Sequence, residues 1–147
     1  MVNNPLEVSL SDVIKPCERL KDYIKVYDNI CDKETCNGIV DLFESQEEHH
    51  SYIDRLTRPT FTEMNISQRY AAKDVAWMGF QKEVQAMFVE AVSTYLDELD
   101  IGPDFPAKYA FEEFRIKRYR HNSTDEFADH VDVGDYNSAR RFLVCFL

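Results

Sequence analysis

The chain has 147 residues, 44% hydrophobic and 13% aromatic, with only 4 Gly and 5 Pro, which suits one globular domain and excludes a disordered or fibrous protein. Its formal net charge is −10, from 27 acidic against 17 basic residues, the opposite balance to that of a protein that neutralises phosphates, so nucleic acid is disfavoured as a partner. No stretch approaches the ~20 apolar residues of a membrane span and no secretory leader is recognisable, so the expectation is a cytoplasmic protein with no membrane partner.

In chain order, residues 1–16 are polar and read as an extended surface segment. Cys17, Cys31, Cys36 and Cys145 lack the paired short-loop spacing of a zinc knuckle and read as free thiols. The stretch YIKVYDN, 23–29, alternates apolar and polar positions and predicts a short strand. Asp32 is a plausible N-cap, and Cys36, Ile39, Val40 and Phe43 follow at helical spacing, which predicts a helix fraying through the polar run Gln46–His50. Residues 51–70 read as irregular loop with one strand around 60–66. From Asp74 to about Leu99 a broad apolar stripe (Val75, Met78, Val84, Phe88, Val92, Leu96) predicts a long scaffold helix, broken by Gly102 and two prolines.

The pattern then changes. Over 109–120, Phe114, Ile116 and Arg118 take one parity against Glu113, Arg115, Lys117 and Tyr119, which predicts a half-buried strand. HNSTDE reads as a polar loop, FADHVDV as a second short strand, GDYNS as a turn and ARRFLVCFL as a nearly continuous apolar strand. Helices first and strands later predict an α+β fold, a single domain over 1–147 with its helices packed on a β-sandwich or jelly roll.

His130 and Asp132 stand two apart in the FADHVDV segment. On a strand, residues i and i+2 leave the same face, so imidazole and carboxylate reach one ion together. With a second histidine from a distant strand they would make the 2-His-1-carboxylate triad of non-haem Fe(II) oxygenases, which leaves one face of the octahedron open for reactants. A lone His-x-Asp also fits a solvent-exposed strand end beside a turn. His49, His50 and His121 read as solvated residues, and the triplets Asn65-Ile66-Ser67 and Asn122-Ser123-Thr124 as chance glycosylation-type matches.

The segment FRIKRYRHNSTDEFADHVDVGDYNSARRFLVCFL resembles the prolyl 4-hydroxylase-like branch of the Fe(II)/2-oxoglutarate-dependent dioxygenases. A strand ending in Tyr119, a polar loop, the His130-x-Asp132 strand and an arginine, Arg141, opening an apolar strand follow the family's order. The opening VYDNICDKETCNGIVDLFE is similar to the family's usual start. The resemblance implies helices on a double-stranded β-helix (jelly roll), of which this chain would be the first part, stopping before the distal histidine and the basic anchor of 2-oxoglutarate. It implies Fe(II) held by His130 and Asp132 and 2-oxoglutarate as co-substrate, with ascorbate as an auxiliary reductant. The reaction would be decarboxylation to succinate coupled to hydroxylation of a peptide, protein or small-molecule substrate, the short chain being inactive alone. Tyr119 would line the 2-oxoglutarate pocket, with a core-packing role equally open, and Arg141 would join a polar network. Arg55 and Arg58 lie where the family places a substrate-covering loop. The competing expectation is an acidic, non-catalytic interaction domain in which His-x-Asp is incidental.

Overall fold

The first helix begins where the sequence supplies a cap. Asp32, in an extended conformation, accepts from the Thr35 N–H at 2.7 Å, and helix α1 runs Lys33–Glu44. The computed structural model describes residues 19–55, 59–121 and 124–147. After α1 come strand β1 (Ser51–Asp54), strand β2 (Thr60–Asn65), helix α2 (Ile66–Ala71), the long helix α3 (Val75–Leu99) and strand β3 (Arg115–Arg118). Helices and an antiparallel sheet make this an α+β chain. Among the described residues, no helix is long and apolar enough to cross a membrane.

The sheet order is β1-β2-β3, with Ser51 opposite Glu63 on one side of β2 and Thr62 opposite Arg118 on the other. As the central strand, β2 buries residues of both parities: Thr60, Thr62 and Met64 on one face and Phe61 on the other. Helices cover only the first face. There Phe43 of α1, Met64 of β2, Ile66 of α2 and Trp77 of α3 form the core, with Leu42, Phe80, Phe114 and Ile116 packed against it. Trp77 is fully buried, and its indole N–H donates to Gln46 Oε1 at 2.6 Å, so burial strands no polar group.

Several sequence expectations hold. The capped helix, the strand near 60–66 and the long helix are all present, and β3 shows the expected alternation, with Ile116 and Arg118 half-buried and Arg115 and Lys117 exposed. The long helix ends at Asp100, in the left-handed region at φ 53°, two residues before Gly102. Aspartate tolerates that conformation better than most side chains.

Other expectations are corrected. Residues 23–29 form no strand: a short 3-10 turn covers Leu20–Tyr23, and Ile24 and Val26 remain exposed. The segment is instead tied to α3, because Tyr95 Oη donates to the Tyr23 carbonyl at 3.0 Å and Tyr27 Oη to Glu98 at 3.3 Å. The 51–70 region is more regular than expected, holding β1 and α2 besides β2. Residues 127–133 and 141–147 form no strand either. β3 already occupies β2 from Thr62 to Asn65, which leaves Thr60 to make one isolated antiparallel bridge with Glu126. The segment expected over 1–16 lies outside the described residues.

Candidate metal centre

The site is built on the sheet face turned away from the helices. Phe61 projects there and is buried by aromatic neighbours: Tyr119 at 5.4 Å and Phe127 at 5.8 Å between ring centroids. Lys117 shares this face, its ammonium 4.9 Å from the Phe61 centroid and 4.7 Å from that of Phe127, within cation–π range. Phe127 is delivered by the Thr60–Glu126 bridge, whose two backbone hydrogen bonds are 2.9 and 3.0 Å. The imidazole of His130 then lies against the Phe127 ring, centroids 4.0 Å apart.

His130 and Asp132 do come together, although their segment is irregular rather than a strand. His130 Nε2 is 3.1 Å from Asp132 Oδ1, and His130 Nδ1 is 2.9 Å from the Ala128 carbonyl oxygen. A neutral imidazole has one N–H and two such acceptors to serve. With both ring nitrogens protonated, His130 donates to Ala128 and Asp132 alike; with Nδ1–H alone, Nε2 turns a lone pair towards the carboxylate, the form in which the two could share a metal ion. Two ligands at bond lengths near 2.1 Å in adjacent octahedral positions stand about 3.0 Å apart. The 3.1 Å separation is that of a direct His–Asp ion pair and is also compatible with two adjacent metal ligands, in which case the Nδ1–carbonyl contact is of the kind that metal-bound histidines make. Among the described residues, no group of three or more His, Cys, Asp or Glu side chains is placed to hold a metal ion.

The turn after Asp132 is fixed by polar contacts. Ser138 Oγ accepts from the Gly134 and Asp135 N–H groups, each at 2.9 Å, while Asp135 Oδ1 accepts from the Ser138 N–H at 2.8 Å. Those Ser138 hydrogen bonds hold the Asp135 carboxyl below its ordinary range. Arg141 is the hub. It grips Glu112 with Nε and Nη2, at 2.8 and 2.9 Å, and donates from Nη1 to the Asp132 carbonyl at 2.8 Å. The bidentate pair lowers the Glu112 carboxyl and raises the Arg141 guanidinium. Arg141 thus stands in a polar network, as expected.

Tyr119 lies on the same face, partly exposed, beside Phe61. Desolvation, with the charge of Glu63 second, pushes its phenol above the ordinary value, so it remains a hydrogen-bond donor at neutral pH. Arg55 is exposed at the end of β1, where its N–H donates to the Pro59 carbonyl at 3.2 Å, next to the Thr60 bridge. Arg58 lies outside the described residues. His49 and His50 are half-buried rather than freely solvated: His49 Nε2 accepts from Arg69 at 2.7 Å, and His50 stacks on Phe43 at 4.0 Å. His121 is exposed. The pairing of Glu112 with Arg141 is not legible in the sequence, since a glutamate ahead of a strand carries no sign of its partner.

Compared with protein-family models, curated proteins and solved structures, the chain gave no match.

Proposed function

We propose that the chain carries two ligands of an Fe(II) centre and belongs to an Fe(II)/2-oxoglutarate-dependent hydroxylase of the prolyl 4-hydroxylase-like kind. The observation that carries the reading is His130 held between the Ala128 carbonyl and the Asp132 carboxylate, at 2.9 and 3.1 Å. In this reading the three-stranded sheet is part of a jelly roll whose interior is the face bearing Phe61, Tyr119, Phe127 and His130. The family resemblance calls for a histidine as third ligand, and among the described residues no third His, Cys, Asp or Glu joins the pair.

Bound iron would supply dioxygen activation coupled to decarboxylation of 2-oxoglutarate, with ascorbate as auxiliary reductant. The protein's own groups have separable tasks. His130 and Asp132 hold the metal, and Ala128 fixes the imidazole tautomer. Tyr119 donates a hydrogen bond to the co-substrate, and the Lys117 ammonium offsets its negative charge from the same face. Phe61 and Phe127 keep that side of the site apolar. Arg55, exposed at the end of β1, would contact a peptide, protein or small-molecule substrate, a role the family resemblance extends to Arg58. A reducing cytoplasm, in which Fe(II) persists, goes with this reading.

Manganese(II), a redox-quiet stand-in with similar ligand preference, tests the metal assignment by calorimetric titration of the 147-residue chain. Weak binding that disappears in His130→Ala and in Asp132→Asn, and survives in His121→Ala, is the expected result. Equal behaviour of wild type and His130→Ala sinks the metal centre. That outcome leaves the second reading, a non-catalytic interaction domain, which the exposure of Val131, Tyr136 and Phe146 favours (79%, 79% and 88%).

A further inference from the structure

The entry to α1 brings two cysteines to one cap. Cys31 precedes the cap residue Asp32, and Cys36 lies in the first turn, where its N–H donates to the Asp32 carbonyl at 3.0 Å. Cys31 Sγ donates towards the same oxygen at 3.7 Å, so both cysteines converge on a single carbonyl. These are the positions that pack together when a hydrophobic staple sets the angle at which a chain enters a helix. Here both staple residues, one on each side of the Asp32 cap, are cysteines. Cys31 is half-buried, whereas Cys36 is exposed.

We propose that Cys31 and Cys36 are a redox-modification site that closes to an intramolecular disulfide when the protein meets a hydroperoxide. Cys36, open to solvent, attacks first: its thiolate takes the terminal peroxide oxygen, the O–O bond breaks and water leaves after protonation, giving a sulfenic acid. The Cys31 thiolate then attacks the Cys36 sulfur, the S–O bond breaks and hydroxide leaves as a second water. Two thiols and one hydrogen peroxide become one disulfide and two waters, a two-electron oxidation of sulfur. Burial, the largest cause, pushes the Cys31 thiol up to about 11, which keeps it protonated at neutral pH and leaves the first attack to Cys36. The ring closed is short, so the bond adds little unfolded-state constraint and stays reducible, as a switch requires. Cys145, also half-buried, is raised by burial alone.

Trypsin cleavage after Lys33 separates the two cysteines, which makes the link directly readable in the full chain. After one equivalent of hydrogen peroxide and alkylation of remaining thiols, the expected product is peptide 26–33 joined to peptide 34–55, released by dithiothreitol. Independently alkylated Cys31 and Cys36, or a link from either to Cys17 or Cys145, overturns the proposal. In Cys31→Ser, dimedone should trap the sulfenic acid on Cys36, and absence of that adduct overturns the assigned order of attack. The wild-type peptide map decides the disulfide whether or not the variant folds.

Discussion

Arg141 holds Asp132 by its main chain: the guanidinium donates to the Asp132 carbonyl at 2.8 Å while its other nitrogens are anchored on Glu112. The side chain of Asp132 is thereby left to face His130. If His130 and Asp132 bind metal, Arg141→Ala should weaken manganese(II) binding by roughly 10-fold without altering the fold, the usual cost of losing an outer contact. Arg141→Lys should not restore it, because an ammonium cannot grip Glu112 with two nitrogens and reach Asp132 at once. Calorimetric titration with a circular-dichroism control measures both; wild-type affinity in Arg141→Ala would remove the positioning role.

Trp77 is the keystone of the helix face, fully buried and hydrogen-bonded to Gln46. Trp77→Ala should cost roughly 3–5 kcal/mol, through the cavity left in a close-packed core. Because Trp77 is the single tryptophan, urea denaturation of the variant has to be followed by circular dichroism rather than fluorescence. A loss under 1 kcal/mol would mean the core repacks around the gap.

Three carboxyls are held below their ordinary values: Asp32 by the Thr35 N–H, Glu112 by Arg141 and Asp135 by Ser138. A depressed folded value means the stabilisation is present above the ordinary carboxylate range, 3.8 for Asp and 4.5 for Glu, and is lost as pH falls through the lowered folded values. The melting temperature should therefore drop from pH 4.5 downwards. Asp32→Asn keeps the cap but not the charge, so it should match wild type near neutrality and lose less on acidification. An identical acid profile for the two proteins would exclude Asp32 as a contributor.

Phe142, Val144, Phe146 and Leu147 are all more than half exposed or close to it, at 53%, 50%, 88% and 62%. A contiguous apolar run of this kind should drive concentration-dependent self-association of the 147-residue chain. Phe146→Asp should reduce it, as read by sedimentation velocity. A wild-type chain that stays monomeric at high concentration would show that this run is not sticky in solution.

What the sequence made legible divides along a physical line. Helices satisfy their own backbone, so the cap at Asp32 and the stripe from Val75 to Leu99 located two of them without knowledge of neighbours. Strands need partners. Alternation at 23–29 and 127–133 was as clear as in β3, yet the first found only α3 beside it and the second met a strand already paired. α2 went unread although Asn65 and Gln68 carry the cap-and-third-residue signature, and Asn65 does accept from the Gln68 N–H. The His130–Asp132 pairing was foreseen from same-face geometry, but the contact is made in an irregular segment, where the Ala128 carbonyl and Arg141 do what strand pleating was expected to do.

The Thr60–Glu126 bridge and the Arg141–Glu112 pair close the intervening segment at both ends. Between those two clasps the chain forms a preorganised hoop rather than a dangling arm. The entropy of bringing its ends together is lost when the sheet forms, before any ligand arrives. If His130 and Asp132 bind a ligand, it meets a segment already tied at both ends, with the imidazole in contact with the Ala128 carbonyl. Opening either clasp would transfer that ordering cost to the binding step, so affinity at the site should track the integrity of contacts that never touch the ligand.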